Sequence, residues 1–285
     1  MSDLYARAIG RGSPSVLLEC GVGHHSSYWG AVPDRIAAFT QAVCYDRRGL
    51  GRTPQRRGDL TIKSYLADVA TVLPDGPMVL VGHSFGGFLI RTIAAAWPEQ
   101  VQGMVFVDSA TENELDGLPE RIVKRDALGP QLMAVNAVVA GLGLGRLPSV
   151  RRRVTADYPN FAPAQLEAIV EDQASPPYWL ANRAELRAYA TFRDHVQGAV
   201  LPDVPLVYIT ATGYGEKLTK STFAMSATEF ADFHTKRQRA AFEQLTSHTE
   251  QLLAPTSGHL VQHDQPELIV GAVERLVELA RTPPA

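Results

Sequence analysis

Short runs rich in Val, Leu and Ile alternate along the chain with longer amphipathic stretches. The runs Tyr5–Ile9, Ser15–Glu19, Ala42–Tyr45, Met78–Val81, Met104–Val107, Val204–Ile209 and Gln251–Ala254 read as strands. The middle ones are apolar without a break, as strands buried on both faces of a parallel sheet must be. Between them, Tyr28–Phe39, Ile62–Leu73, Phe85–Ala96, Thr235–Ser247 and Pro266–Ala280 read as helices. In the last, Leu268, Ile269, Ala272, Val273, Leu276, Val277 and Leu279 fall near helical spacing and mark one buried face. The alternation predicts an α/β fold, a mostly parallel sheet covered by helices.

One interval breaks this rhythm. From Thr111 to Pro202 there are many apolar and aromatic residues but no clear strand. Helical patterns recur at Glu120–Ala127, Leu132–Ala140, Pro163–Asp172 and Leu180–Val196, separated by Gly- and Pro-rich pieces. The interval is too long for a loop in a compact domain. It reads as a helical cap, residues 111–202, inserted into a core made of 1–110 and 203–285.

Composition narrows the class. With 285 residues, 45% apolar and 20% charged, the chain suits a globular fold with a sizeable core. A net charge of −3 gives no footprint for nucleic acid, and the clusters Arg47-Arg48, Arg56-Arg57 and Arg151-Arg152-Arg153 read as solvated surface. Met1-Ser2-Asp3-Leu4-Tyr5 does not read as a secretory signal. Two cysteines, Cys20 and Cys44, make no disulfide framework, so the expected compartment is cytoplasmic. The longest apolar stretch, Leu132 to Leu147, is broken by Asn136, three glycines and Arg146. It predicts a buried helix followed by a loop, and no stable membrane insertion. Oligomeric state is not legible.

The chemistry concentrates at Met78-Val79-Leu80-Val81-Gly82-His83-Ser84-Phe85-Gly86-Gly87-Phe88. An apolar strand runs into a glycine-flanked serine and then a helix, the setting in which Gly-x-Ser-x-Gly carries meaning. A turn this tight strains the serine, and the residues two before and two after must be small. Neither the lysine of a phosphate loop nor dinucleotide glycine spacing is present.

These residues resemble the α/β-hydrolase superfamily, particularly its cap-bearing bacterial serine esterase-like members. Leu17-Leu18-Glu19-Cys20-Gly21-Val22-Gly23 is similar to the oxyanion loop after the third strand of that fold, with Cys20-Gly21 where many members have His-Gly. Tyr45-Asp46-Arg47-Arg48-Gly49-Leu50-Gly51-Arg52-Thr53 resembles the turn after its fourth strand. Ser257-Gly258-His259, followed by Asp264-Gln265-Pro266-Glu267, resembles its histidine loop. The resemblance implies an α/β-hydrolase fold with about seven to eight strands and a cap after strand six.

A serine hydroxyl needs a general base, and His259, after the last strand, is the candidate among eight histidines. His83 adjoins Ser84 but should point away from it. His263 reads as a polar partner or surface residue, and His195, His234 and His248 as surface residues. The acid that orients the base is open between Asp108, which ends Val105-Phe106-Val107, and Glu216, which follows Val204–Ile209. Oxyanion donors are expected from the backbone N–H groups of Phe85 and Val22. His24, Met133, Tyr178 and Trp179 are candidates for substrate contact, with Tyr158, Phe161 and Leu142 as further apolar candidates. No residue pattern suggests a metal, nucleotide or flavin cofactor.

The expected activity is hydrolysis of a carboxylic ester or lactone of a largely apolar small molecule through an acyl-enzyme. A thioesterase, acyltransferase or cyclase working on an acyl carrier is the second reading. A non-catalytic binding protein on the same fold is the third. Serine in place of aspartate at the elbow argues against epoxide hydrolysis through an ester intermediate.

Overall fold

The strand signals are strongest where both sheet faces are covered, and there the expectation and the fold coincide. The computed structural model describes residues 3–56 and 58–282. Met1, Ser2 and Arg57, named above in the N-terminal and Arg56-Arg57 readings, lie outside the described residues. Among the described residues seven strands form one sheet: β1 (Ala6–Ile9), β2 (Ser15–Glu19), β3 (Ala42–Tyr45), β4 (Met78–His83), β5 (Val101–Val107), β6 (Leu206–Ala211) and β7 (Thr249–Ala254). Their order is β1-β3-β2-β4-β5-β6-β7, with only β1 antiparallel.

Outside the segment between β5 and β6, the helices are α1 (Val32–Ile36), α2 (Ile62–Val69), α3 (Gly86–Ala96), α9 (Glu216–Phe223), α10 (Ala227–Phe242), α11 (Val261–Asp264) and α12 (Pro266–Arg281). That segment supplies α4 (Glu120–Asp126), α5 (Gly129–Gly141), α6 (Pro148–Asp157), α7 (Pro163–Gln173) and α8 (Pro176–Gln197), with no strand among the described residues. It follows the fifth described strand where the resemblance counts a sixth, and the strand ending before Asp108 is the same in both counts.

Alternate residues of the central strands feed two cores. Leu17, Leu80, Met104 and Phe106 meet Phe88, Leu89 and Ile93 of α3 on one face. Val16, Val79, Val81 and Val105 meet Ile269, Val273, Leu276 and Val277 of α12 on the other. Each such aliphatic or aromatic side chain contributes about 1.5–3 kcal/mol by leaving water. The helix predicted over Tyr28–Phe39 is instead a 3-10 turn at Ser26–Trp29 followed by α1, because Gly30 interrupts it with φ 58°.

Helix α8 shows why its segment is tied to the core. Tyr178, Ala181, Asn182, Glu185, Ala188, Phe192 and Val196 form one buried stripe at helical spacing. Helix α5 departs from its expectation. Small residues, Ala137 and Ala140, are its buried ones, while Leu132, Val135 and Val138 are more than half exposed, so it is not the buried helix predicted. No helix among the described residues is long and apolar enough to cross a membrane.

Candidate active site

Parallel pairing aligns the strand ends. Glu19 pairs with Gly82, Gly82 with Phe106, and Val107 with Ile209. The residues that leave the carboxyl edge, Cys20, Ser84 and Asp108, therefore emerge side by side, where α/β sheets place their sites.

Ser84 turns the chain from β4 into α3 with φ 55°, a left-handed conformation that a serine adopts only when its surroundings enforce it. Its N–H donates to Val107 O at 3.2 Å, and its carbonyl accepts from Gly87 and Ala110 N–H, both at 2.9 Å. A Cβ on Gly82 would stand 2.5 Å from Gly86 O, and one on Gly86 2.3 Å from Glu19 O. Those two glycines are thus required by contact. Gly21 brings the loop after β2 against the serine, since a Cβ there would lie 3.0 Å from Ser84 Cβ and 3.4 Å from Oγ. Among the described residues the N–H groups of Phe85 and Val22 have no acceptor within the protein. Cys20 is buried and donates its thiol to His25 O, and burial pushes that thiol well above its ordinary pKa.

Asp108 follows β5 with φ 40°, a second strained residue at the same edge. Its Oδ2 lies 2.6 Å from His259 Nδ1 and accepts from Tyr214 Oη at 2.5 Å. Its Oδ1 accepts from Ala211 N–H at 3.0 Å and lies 2.6 Å from His234 Nε2. Burial alone would raise the Asp108 pKa, but the His234 and His259 imidazoles more than offset it, so the carboxyl is held well below its usual range. Glu216 is elsewhere: exposed at the start of α9, it accepts from Ala227 N–H and pairs with Lys220. Of the two candidate acids, only Asp108 meets His259.

One histidine expectation changes. His234 is buried on Asp108, whereas the sequence reading put it at the surface. The helix that carries it starts at Ala227, capped by Ser226 and Glu229, rather than near Thr235. That Ser-x-x-Glu capping box was the signal available for it. His263 contacts Tyr28 O through Nε2 at 2.7 Å and stacks on Phe161. His83 reaches His259 O at 2.8 Å, and burial drops its pKa to about 3. His195 and His248 are exposed.

Ser84, Asp108 and His259 open on one cavity of about 600 Å³. Leu115, Leu118, Ile122, Pro130, Leu186 and Tyr189 supply apolar wall, and Arg125, Asp126, Glu114, Arg193 and Arg237 supply charge. None of the four proposed substrate contacts lines it. Tyr178 packs with Leu50, Ala181 and Trp179, and Trp179 donates its indole N–H to Gln173 O. His24 stacks on Tyr28 at 3.9 Å, and Met133 is half-buried on α5. Tyr158 and Phe161 pack with Tyr28, Val154 and Ile169, and Leu142 is exposed. Tyr178, Trp179, Tyr158 and Phe161 thus pack where the segment meets Leu50 and Tyr28 of the core.

The loop after β2 has a buried ionic support that the sequence reading missed. Arg47 Nε meets Glu185 Oε1 at 2.6 Å, and its Nη1 meets Glu19 Oε2 at 3.2 Å. The same guanidinium donates to Cys20 O at 2.9 Å and Gly21 O at 2.6 Å. Glu185 Oε2 also accepts Gly23 N–H at 2.8 Å. Tyr45 and Tyr65 hydroxyls complete Glu19. Arg47, expected at the solvated surface, is buried instead, and nothing in the spacing announced Glu185, some 138 residues away. No group of metal-ligating side chains occurs among the described residues.

Known proteins agree with this geometry at the level of fold and family. An AB hydrolase superfamily protein of Gibberella zeae is 24% identical across 94% of this chain and 87% of its own length. Lipase LipV of Mycobacterium tuberculosis is 36% identical, over 40% of this chain and 44% of the lipase. The shared stretch is thus under half of either protein. Epoxide hydrolase CorEH superimposes with a TM-score of 0.71 over 98% of this chain and 95% of that one, at 17% identity, a likeness of fold alone. Residues 16–272 match the alpha/beta hydrolase family, and the chain belongs to it.

Proposed function

We propose that this protein is a serine hydrolase that cleaves a carboxylic ester or lactone of a largely apolar small molecule through an acyl-enzyme. One observation carries the reading: Ser84, on a strained turn, shares its cavity with His259, whose Nδ1 is held 2.6 Å from Asp108. With Nδ1 engaged, Nε2 is left for the serine proton. Ser84 Oγ attacks the carbonyl while His259 takes its proton. The Phe85 and Val22 N–H groups, unpartnered among the described residues, receive the developing oxyanion. Collapse expels the alcohol with the proton from His259, and water repeats the sequence on the acyl group.

The segment 111–202 acts as a cap that supplies much of the wall. A cavity of about 600 Å³ with apolar sides suits a small organic ester, within the usual range for ligand pockets. The test is turnover of matched p-nitrophenyl esters, aryl lactones and acyl-thioesters by wild type and Ser84→Ala. Ester or lactone turnover that disappears in Ser84→Ala is expected. Turnover confined to thioesters would overturn the substrate class, and turnover persisting in Ser84→Ala would overturn the mechanism.

A further inference from the structure

Asp108 faces two histidines, and the proposed mechanism uses only one of them. His234 comes from α10, is buried, and sets Nε2 2.6 Å from the carboxylate oxygen that His259 does not touch. One turn further along the same helix, Arg237 brings Nη2 to 2.7 Å from His234 Nδ1. A guanidinium has donors only, so Nδ1 must accept from it. The proton of His234 then sits on Nε2 and points at Asp108. Arg237 is itself anchored by Nη1 donating to Glu114 O.

The Asp108 carboxylate thus receives four donors: Ala211 N–H and His234 Nε2–H on one oxygen, Tyr214 O–H and His259 Nδ1–H on the other. An ionised carboxylate offers about four lone-pair sites, so its capacity is filled. We propose that His234, its tautomer set by Arg237, is a positioning residue that fixes the Asp108 carboxylate against His259 and tempers the charge it presents. The proposal rests on the serine hydrolase reading above. If His234 were only a satisfied buried side chain, its loss would affect folding but leave the titration of the base where it is.

The sign of the effect follows from the geometry. Removing the His234 donor leaves more negative charge facing His259 and favours its protonated form, so the acid limb of the rate profile moves to higher pH. The other titratable groups around the pair are His83 from β4, His24 from the loop after β2, Tyr214 after β6, and Glu114 beside Arg237. All four are left intact by the substitutions below.

The experiment is the pH dependence of kcat/KM on a p-nitrophenyl ester for wild type, His234→Phe and His234→Gln, with folding checked by circular dichroism. Glutamine places its amide nitrogen as many bonds from Cβ as Nε2 and can donate in its place. His234→Phe should lose about tenfold in kcat/KM, the usual scale for a lost hydrogen bond to a charged group. Its acid limb should rise by about half a pH unit or more. His234→Gln should keep both within about twofold of wild type. A superimposable His234→Phe profile, or a His234→Gln as impaired as His234→Phe, would overturn the proposal. If His234→Phe does not fold, 15N NMR of wild type decides: a proton on His234 Nε2 supports it and one on Nδ1 overturns it. A wild type in which Ser84 is unreactive toward a fluorophosphonate defeats the hydrolase reading itself. Reactive Ser84 with an unshifted profile defeats only the role of His234.

Discussion

The carboxyl edge of the sheet and the helical segment between β5 and β6 meet at the same cavity but are specified in different ways. At the edge, each chemical group is held by backbone that allows few substitutes: Ser84 at φ 55°, Asp108 at φ 40°, and Gly82 and Gly86 in contact with neighbouring backbone. In the segment, apolar side chains are assigned by packing, and several with similar chemistry could exchange places. Tyr178 and Trp179 pack against Leu50 away from the cavity, while Ile122 and Leu118 reach it. A role fixed by backbone geometry leaves a mark at particular residues, and a role fixed by packing does not.

The largest expected effect falls on the edge. Asp108→Asn should cut kcat/KM on a p-nitrophenyl ester by about ten-thousandfold without unfolding the protein, as loss of the orienting carboxylate does in triads. Glu216→Gln should stay within about twofold of wild type. Equal loss in the two variants would erase the distinction between them.

Stability should respond most where edge and segment are tied by buried charge. Arg47→Met strands Glu19 and Glu185, both buried, and should cost about 3–5 kcal/mol in urea unfolding, the scale for breaking a buried ion pair by removing one partner. A cost below about 1 kcal/mol would mean that this network does not join the two regions.

Within the segment, the contrast is between side chains at the wall and side chains behind it. Ile122→Ala should raise KM for a hydrophobic ester by about tenfold, while Tyr178→Phe leaves it unchanged. Steady-state kinetics on one ester series checks both, and the reverse ranking would relocate the pocket.

The mildest effect is in pH. Burial pushes Glu114 up to about 7 from an ordinary 4.5. The folded form therefore binds the extra proton between those values, and its contribution to stability, full below the lower value, is lost as pH rises through the upper one. Thermal unfolding followed across that window should show a shallower decline in Glu114→Gln than in wild type.

The same contrast explains what was legible in the sequence. The strands and the serine turn were readable because burial on both faces and close backbone approach constrain residue type locally. Asp108 was readable only as one of two carboxylates, since the choice depends on which strand end neighbours His259. His234 and Glu185 were not read, because each acts on a partner more than a hundred residues away and its own helix gives no sign of that partner. The capping box at Ser226 and Glu229 would have corrected the start of α10 but not revealed the Asp108 contact.

The central claim is that Ser84 is an activated nucleophile. Intact-protein mass spectrometry after incubation with a fluorophosphonate tests it directly. The account predicts one adduct per chain, mapped to Ser84, absent in Ser84→Ala and formed much more slowly in His259→Ala. A folded wild type that takes up no probe, or takes it up at another residue, would contradict it.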